Sequence, residues 1–345
     1  MSSPAPARQD PPLWREVAEG VVRLSIPVPF VGLRQVNLWL LRDGDGWLMI
    51  DCGWGDAPTR ELLQRAWDEV LGGRPVTRLL VTHYHPDHMG NCRWICERWG
   101  LVPLVSGREW QAARESRALG LLEDIPRQAA FFRRHGLGEP GLTRFGEEFL
   151  TYDKGVELPE AVTILADGDT LHIDGTRWNV LTGGGHSPEM VMLHTPERDL
   201  FIAGDQLLPG ISSNIPVGHF APEADPLADY LASLDRLAAL LPDSCLVLPS
   251  HREPFRGAAA RVAELRAHHA DRLEQIRQAV AGAGDMTAAG LLPVLFRAPL
   301  DGTQTAFAMG EVIAHVNHLV LRDRLARAAD AAGVIRLRLR EPVPL

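Results

Sequence analysis

Apolar positions along this 345-residue chain fall into short, β-branched runs before residue 257 and into longer helical periods after it. Runs at 21–26, 36–41 and 47–50 predict strands, and Arg42-Asp43-Gly44-Asp45-Gly46 between the last two is a hairpin signal. Asp56 caps a predicted helix that holds Pro58 in its first turn and runs to about residue 71. A strand at 76–81, a helix at 91–99 and a strand at 102–105 continue the alternation. Residues 119–149 break the rhythm, because Phe131, Phe132, Phe145 and Phe149 are interrupted by Gly136, Gly138, Pro140 and Gly141. This stretch reads as a largely helical insertion near the active site, of the kind that either covers a site or packs at the periphery. Strands follow at 162–165, 170–173, 178–181, 190–194 and 200–203, then a helix at 226–241 opened by Asp225, then a strand at 245–248. The pattern predicts an α/β fold of two packed sheets flanked by helices.

After Gly257 the period becomes helical. Helices are expected at 260–280, closed by Gly282 and Gly284, then at 287–296 and at 305–329, with a terminal strand at 334–339. The region 257–345 therefore reads as a separate, small, mainly helical module.

Composition narrows the class. A hydrophobic fraction of 46% fits a large globular core, and a net charge of -9 gives the whole chain no general attraction to nucleic acid or anionic lipid. From Arg256 onward the balance reverses slightly, with twelve arginines against nine acids. Four cysteines are too few for a disulfide framework, and Cys92 and Cys96 share a helix face as two small buried residues. No run approaches the length of a membrane span. Residues 1–13 are rich in Ser, Pro and Ala without an apolar core, so they read as a disordered tail and not a signal peptide. The cytoplasm is the expected location.

The chemistry concentrates at Thr82-His83-Tyr84-His85-Pro86-Asp87-His88. Three imidazoles and a carboxylate follow a strand end, where a loop lets side chains converge. Neutral imidazole and carboxylate suit a borderline cation such as zinc. His186, Asp205 and His251 each follow a later predicted strand, and glycines beside the first two permit close backbone approach.

With these motifs in order, the chain resembles the metallo-β-lactamase-fold hydrolases. The resemblance covers roughly 14–255 and sets a catalytic domain at 14–256. It implies an αββα sandwich and two divalent ions, zinc first, with iron or manganese as alternatives. It also implies one site from His83, His85 and His186, a second from Asp87, His88 and His251, and Asp205 bridging them. Asp51, in Ile50-Asp51-Cys52-Gly53, matches an early acidic motif and is expected to orient ligands without binding metal. Gly185-His186-Ser187-Pro188-Glu189 with Gly204-Asp205-Gln206-Leu207-Leu208 is similar to the glyoxalase II-like hydrolases, in particular the β-lactamase-like protein 2 group. In that group a winged-helix-like module follows the sandwich. Where the family commonly has Gly-His-Gly, this chain has Ser250-His251-Arg252. Arg252 is thus a candidate for contact with an anionic substrate group, or for pairing with a nearby acid.

The implied reaction is attack of a bridging hydroxide on the carbonyl of a small thioester, ester or lactone, with Asp87 orienting the nucleophile. No Gly-x-Ser-x-Gly elbow supports serine catalysis. The alternative is a metal-dependent nuclease, against which the modest charge of the terminal module argues; β-lactam hydrolysis ranks third. A one-iron persulfide dioxygenase carries similar motifs, and the complete second site tilts the choice towards two metals. His219 is a candidate for lining the pocket. His268, His269, His315 and His318 are read as packing or exposed residues. The terminal module is expected to shape the pocket or form a dimer contact.

Overall fold

A computed structural model describes residues 13–29, 33–149, 156–297 and 299–340, without the side chains of Leu119, Leu121, Leu122 and Phe149. The tail expected at 1–13 lies outside the described residues except for Leu13, whose carbonyl accepts from Ser25 N at 2.8 Å.

The first sheet contains β1 (Trp14–Ala18), β2 (Val21–Pro27), β3 (Gln35–Asp43), β4 (Gly46–Ile50), β5 (Val76–Leu80), β6 (Leu104–Ser106) and β7 (Thr163–Leu165), side by side in chain order. The second contains β8 (Thr170–Ile173), β9 (Thr176–Gly183), β10 (Met190–Thr195), β11 (Leu200–Gly204) and β12 (Leu246–Pro249), again in sequential order. Alternation along each strand sorts side chains between two layers. Trp39, Leu41, Leu48 and Ile50 face Trp178, Val180, Val191, Leu193 and Ile202 in the core between the sheets. Their neighbours Leu38, Leu40 and Met49 pack outward under α1 (Ala57–Val70) and α3 (Cys92–Trp99), with the one-turn α2 (Pro86–Met89) between those helices in sequence. The two packed sheets are those the pattern predicts, in the αββα arrangement the resemblance implies.

The other outer layer begins with the insertion, which is helical as expected: α4 (Gly107–Leu119), α5 (Leu121–Arg134) and α6 (Glu139–Phe149). It continues with α7 (Pro226–Leu240), α8 (Ala258–Ala283), the short α9 (Leu292–Leu295) and α10 (Gly302–Leu321). Phe132 and Phe145 of the insertion share one apolar cluster with Leu234 of α7, Ile276 of α8 and Val312 and Val316 of α10. The C-terminal helices are therefore welded to the outer face of the second sheet by a common core.

The helix expected over 305–329 is shorter and begins earlier. It opens at Gly302 because Asp301 and Gln304 form a reciprocal capping box. It stops at Leu321, where Asp323 takes φ 57° and Arg324 N donates back to Leu319 O at 2.9 Å. Residues Leu325–Ala329 are instead a strand, β13, paired antiparallel with β14 (Ile335–Leu339). Hydrogen bonds to a partner strand outweigh the helix preference of Ala326, Ala328 and Ala329. The tight turn is fixed by Asp330, whose Oδ1 accepts from Ala332 N and Val334 N. Among the described residues, no helix is long and apolar enough to cross a membrane.

Candidate metal centre

The ends of β5, β9, β11 and β12 meet at one edge of the sandwich, and each delivers residues from the loop that follows it. The Thr82–His88 loop turns into α2, whose first residue is Pro86, so the missing proline N–H costs nothing. His83, His88, His251, Asp87, Asp205 and His186 are all buried, at 0–8% exposure. Three overlapping groups form with ligand atoms within 4.8 Å of one another: His83, His85 and His186; His83, His88 and Asp205; and Asp87, His88 and His251. All seven expected ligands are thus brought together.

Asp205 stands between the groups. Its Oδ2 lies 3.5 Å from His186 Nε2 and 3.3 Å from His251 Nε2, while its Oδ1 lies 3.7 Å from His88 Nε2. Asp87 Oδ2 is 3.5 Å from both His88 Nε2 and His251 Nε2. His83 Nε2 and His85 Nδ1 are 3.0 Å apart. Two nitrogens on one tetrahedral zinc are separated by about 3.3 Å, given Zn–N bonds of roughly 2.0–2.1 Å.

The proton positions follow from the outer partners. His186 Nδ1 meets Asn214 O at 2.6 Å, and His251 Nδ1 meets Gln35 O at 2.8 Å. A carbonyl only accepts, so both rings carry their proton on Nδ1 and present a bare Nε2 to the centre. His88 Nδ1 bonds Asp51 Oδ2 at 2.8 Å. Thr82 Oγ1 donates to Asp51 Oδ2 at 2.9 Å and is 3.0 Å from His83 Nδ1. The other Asp51 oxygen accepts from Thr82 N at 2.7 Å. Asp51 is fully buried, sits at φ 63°, and holds the ligand loop by contacts to Thr82 and His88.

The Nε2 atoms of His88, His186 and His251 and the Oδ1 of Asp205 have no hydrogen-bond partner although all are buried. Stranding four polar atoms would cost about 1–3 kcal/mol each. Bound metal here would satisfy all of them at once, so the residues fit a metal centre. Burial, reinforced by neighbouring imidazoles, holds His83 and His85 well below the ordinary histidine range, and burial also lowers His186. At His88 burial acts in the same direction, but the carboxylates of Asp87, Asp51 and Asp205 outweigh it and push the ring up to about 10. Neutral rings ligate metal, and carboxylates that draw positive charge to His88 favour a cation there.

Residues unmarked in the sequence hold these loops. Glu109, on α4, accepts from Glu189 N at 2.7 Å and from Tyr84 N at 3.1 Å, tying the His83–His85 loop to the His186 loop. Asn37 of β3 donates to Pro249 O and Arg252 O at 2.9 and 2.7 Å, fixing the His251 loop. A buried asparagine in an apolar strand was the available signal for the second; Ser106-x-x-Glu109, an N-cap pattern, marked only a helix start for the first.

Arg252 departs from expectation. Its side chain is exposed and absent from the cavity wall, and its φ of 72° turns the chain away after His251. Its contribution is the backbone carbonyl bound by Asn37. His219 does line the cavity, 3.2 Å from Asp124 Oδ1 and 2.8 Å from Gln128 Oε1 of the insertion. His269 and His315 bond each other at 3.1 Å between α8 and α10, His268 lies against Arg272, and His318 pairs with Asp225. Cys92 and Cys96 are buried, as is Cys52.

Fold and site together define a metal-dependent hydrolase. The chain belongs to the metallo-beta-lactamase superfamily, which its residues 31–251 match; residues 273–340 match the metallo-beta-lactamase-like C-terminal domain. A crystal structure of a beta-lactamase domain protein from Burkholderia ambifaria is 41% identical, with a TM-score of 0.88 over 96% of either chain. A metallo-beta-lactamase family protein from Thermus thermophilus is 28% identical, with a TM-score of 0.80 over 94% of this chain and 100% of that one. The probable metallo-hydrolase YflN of Bacillus subtilis (strain 168) is 23% identical over 70% of this chain and 87% of its own length.

Proposed function

We propose that the protein is a binuclear metal-dependent hydrolase acting on a small thioester, ester or lactone. The observation that carries this is the set of four partnerless buried atoms on His88, His186, His251 and Asp205, the last three of which line a large cavity. His83, His85 and His186 would hold one ion, Asp87, His88 and His251 the other, and the two Asp205 oxygens reach towards both groups. The donor set favours zinc, with iron or manganese as alternatives. Divalent cations, when bound, supply a water ionised near neutral pH and positive charge for the developing oxyanion. Asp87 and Asp205 would reduce the excess charge of the centre, and Asp87 would orient the nucleophile. Asp51 keeps His88 in orientation.

A nuclease reading is less well supported. Arg108 is the one arginine or lysine among the described residues of the cavity wall, whereas phosphodiester backbones call for several. Four buried cysteines outside any disulfide agree with a reducing cytoplasm. The test is to strip the protein with a chelator, reload it with zinc, and assay thioesters, lactones, phosphodiesters and RNA beside an Asp87→Ala control. Metal-dependent turnover of an acyl substrate, lost in the control, is expected. Full turnover by stripped protein, or cleavage of RNA alone, would overturn the proposal.

A further inference from the structure

The cavity at the metal centre extends well beyond the reacting groups. Its volume is ≈ 1120 Å³, above the roughly 300–1,000 Å³ usual for small-molecule sites. His85, Asp87, His186, Asp205 and His251 belong to its metal end. Its remaining wall comes largely from α4, α5, α6, the 208–221 segment and α10. On α10 the lining residues Thr303, Phe307 and Gly310 recur at spacings of four and three, so one helix face borders the cavity. Phe132 and Phe145 are the buried aromatic contributions of the insertion.

These walls are fixed to each other. Glu148 Oε2 of α6 accepts from Gly302 N at 2.7 Å and Thr303 N at 3.2 Å, closing the N-terminus of α10. Val217 N donates to Gly310 O at 3.1 Å, and a Cβ at Gly310 would stand 3.0 Å from Pro216 Cβ. The C-terminal helices thus form a rigid part of the reaction chamber. Charge is distributed unevenly along it. Glu115 and Glu147 are exposed at the wall, and outside the metal cluster the carboxylates face only Arg108 as an arginine or lysine among the described lining residues. A polyanionic carrier would meet repulsion at these acids and find few partners.

Resting on the hydrolase reading above, we infer that the aromatic end of the cavity is a subsite for an uncharged apolar acyl arm, and that the acidic wall selects against polyanionic carriers such as nucleotide thioesters. The experiment compares kcat/KM of zinc-loaded protein for N-acetylcysteamine thioesters from acetyl to octanoyl with coenzyme A thioesters of the same acyl groups. Each added methylene should raise kcat/KM about fourfold until the arm fills the subsite. Each coenzyme A thioester should fall at least about tenfold below its neutral counterpart. Thr303→Phe fills the cavity while keeping the backbone N–H that Glu148 binds, and should cut the octanoyl-to-acetyl ratio at least about tenfold; Phe307→Ala should lower the same ratio by removing an apolar wall. A flat chain-length series, or coenzyme A thioesters turned over as well as neutral ones, overturns the subsite. Calorimetric binding of octanamide separates the two failures. Absence of binding overturns the subsite, whereas binding without hydrolysis of any acyl substrate overturns the reaction.

Discussion

Replacing Glu109 with alanine should weaken metal binding although Glu109 is not one of the seven clustered residues. Its carboxylate takes the N–H of Tyr84, which lies between His83 and His85, and the N–H of Glu189, three residues past His186. It is the bolt between two loops that must present three nitrogens to one point. Hydrogen bonds to a charged acceptor are worth about 1.5–3 kcal/mol each. Part of this is already offset, because burial pushes the carboxyl up to about 7 despite the Ser187 hydroxyl and the two backbone N–H groups. Alanine should therefore cost about 2–3 kcal/mol of stability in urea unfolding of the metal-free protein. The loss at the metal should be larger in proportion. Removing partners that hold ligands in place typically lowers metal affinity roughly 10- to 100-fold. Zinc affinity measured by chelator competition should fall by that factor in Glu109→Ala, and by less in Glu109→Gln, which keeps one acceptor. Wild-type zinc affinity in Glu109→Ala would refute the reasoning.

Asp51→Asn should lower kcat roughly 10- to 100-fold with an unchanged circular dichroism spectrum, since asparagine tolerates φ 63° but has one acceptor oxygen, and cannot accept from Thr82 N on one side and from Thr82 Oγ1 and His88 Nδ1 on the other; wild-type kcat would contradict the orienting role. Burial pushes His269 down to about 3 and His315 to about 4, so the unfolded chain binds their protons first. Their stabilisation is complete above about pH 6.5 and is lost as pH falls towards 4, at up to about 1.4 kcal/mol per pH unit for each ring. Urea unfolding should therefore show roughly 3–4 kcal/mol less stability at about pH 5 than at pH 7, and a smaller loss in a His269→Gln, His315→Gln double variant; equal losses would remove the pair from the explanation. Gly90→Ala should cost at least about 3 kcal/mol or abolish soluble protein, because its Cβ would meet the backbone of Gly53 and Gly55, which cannot rotate away. A melting temperature within about two degrees of wild type would show that this packing is looser.

The strands were legible because each is a short apolar run bounded by turn residues. Leu38 and Leu40 pack outward while Trp39 and Leu41 pack inward, so both faces are buried and the run stays apolar throughout. The metal cluster was legible because its donors are rare residue types placed directly after such runs. Long-range partners were not. Nothing near Leu325–Ala329 announces that Ile335–Leu339 will pair with it, so alanine content favoured helix until the hairpin decided otherwise. Arg252 was read from its position beside His251, but neighbours in sequence need not face the same space once the backbone takes a positive φ. Glu109 acts only by joining two loops far apart in the chain, at Tyr84 and Glu189, and no local pattern encodes that contact. The reaction chamber likewise exists only once α6 and α10 meet at Glu148 and Gly302.

Anomalous diffraction at the zinc edge from crystals of the zinc-loaded protein tests the central claim most directly. Two peaks are predicted, one within bonding distance of His83, His85 and His186 and one within bonding distance of Asp87, His88 and His251, with Asp205 reaching both. A single fully occupied peak, or zinc bound away from these seven residues, would contradict a binuclear centre built from them.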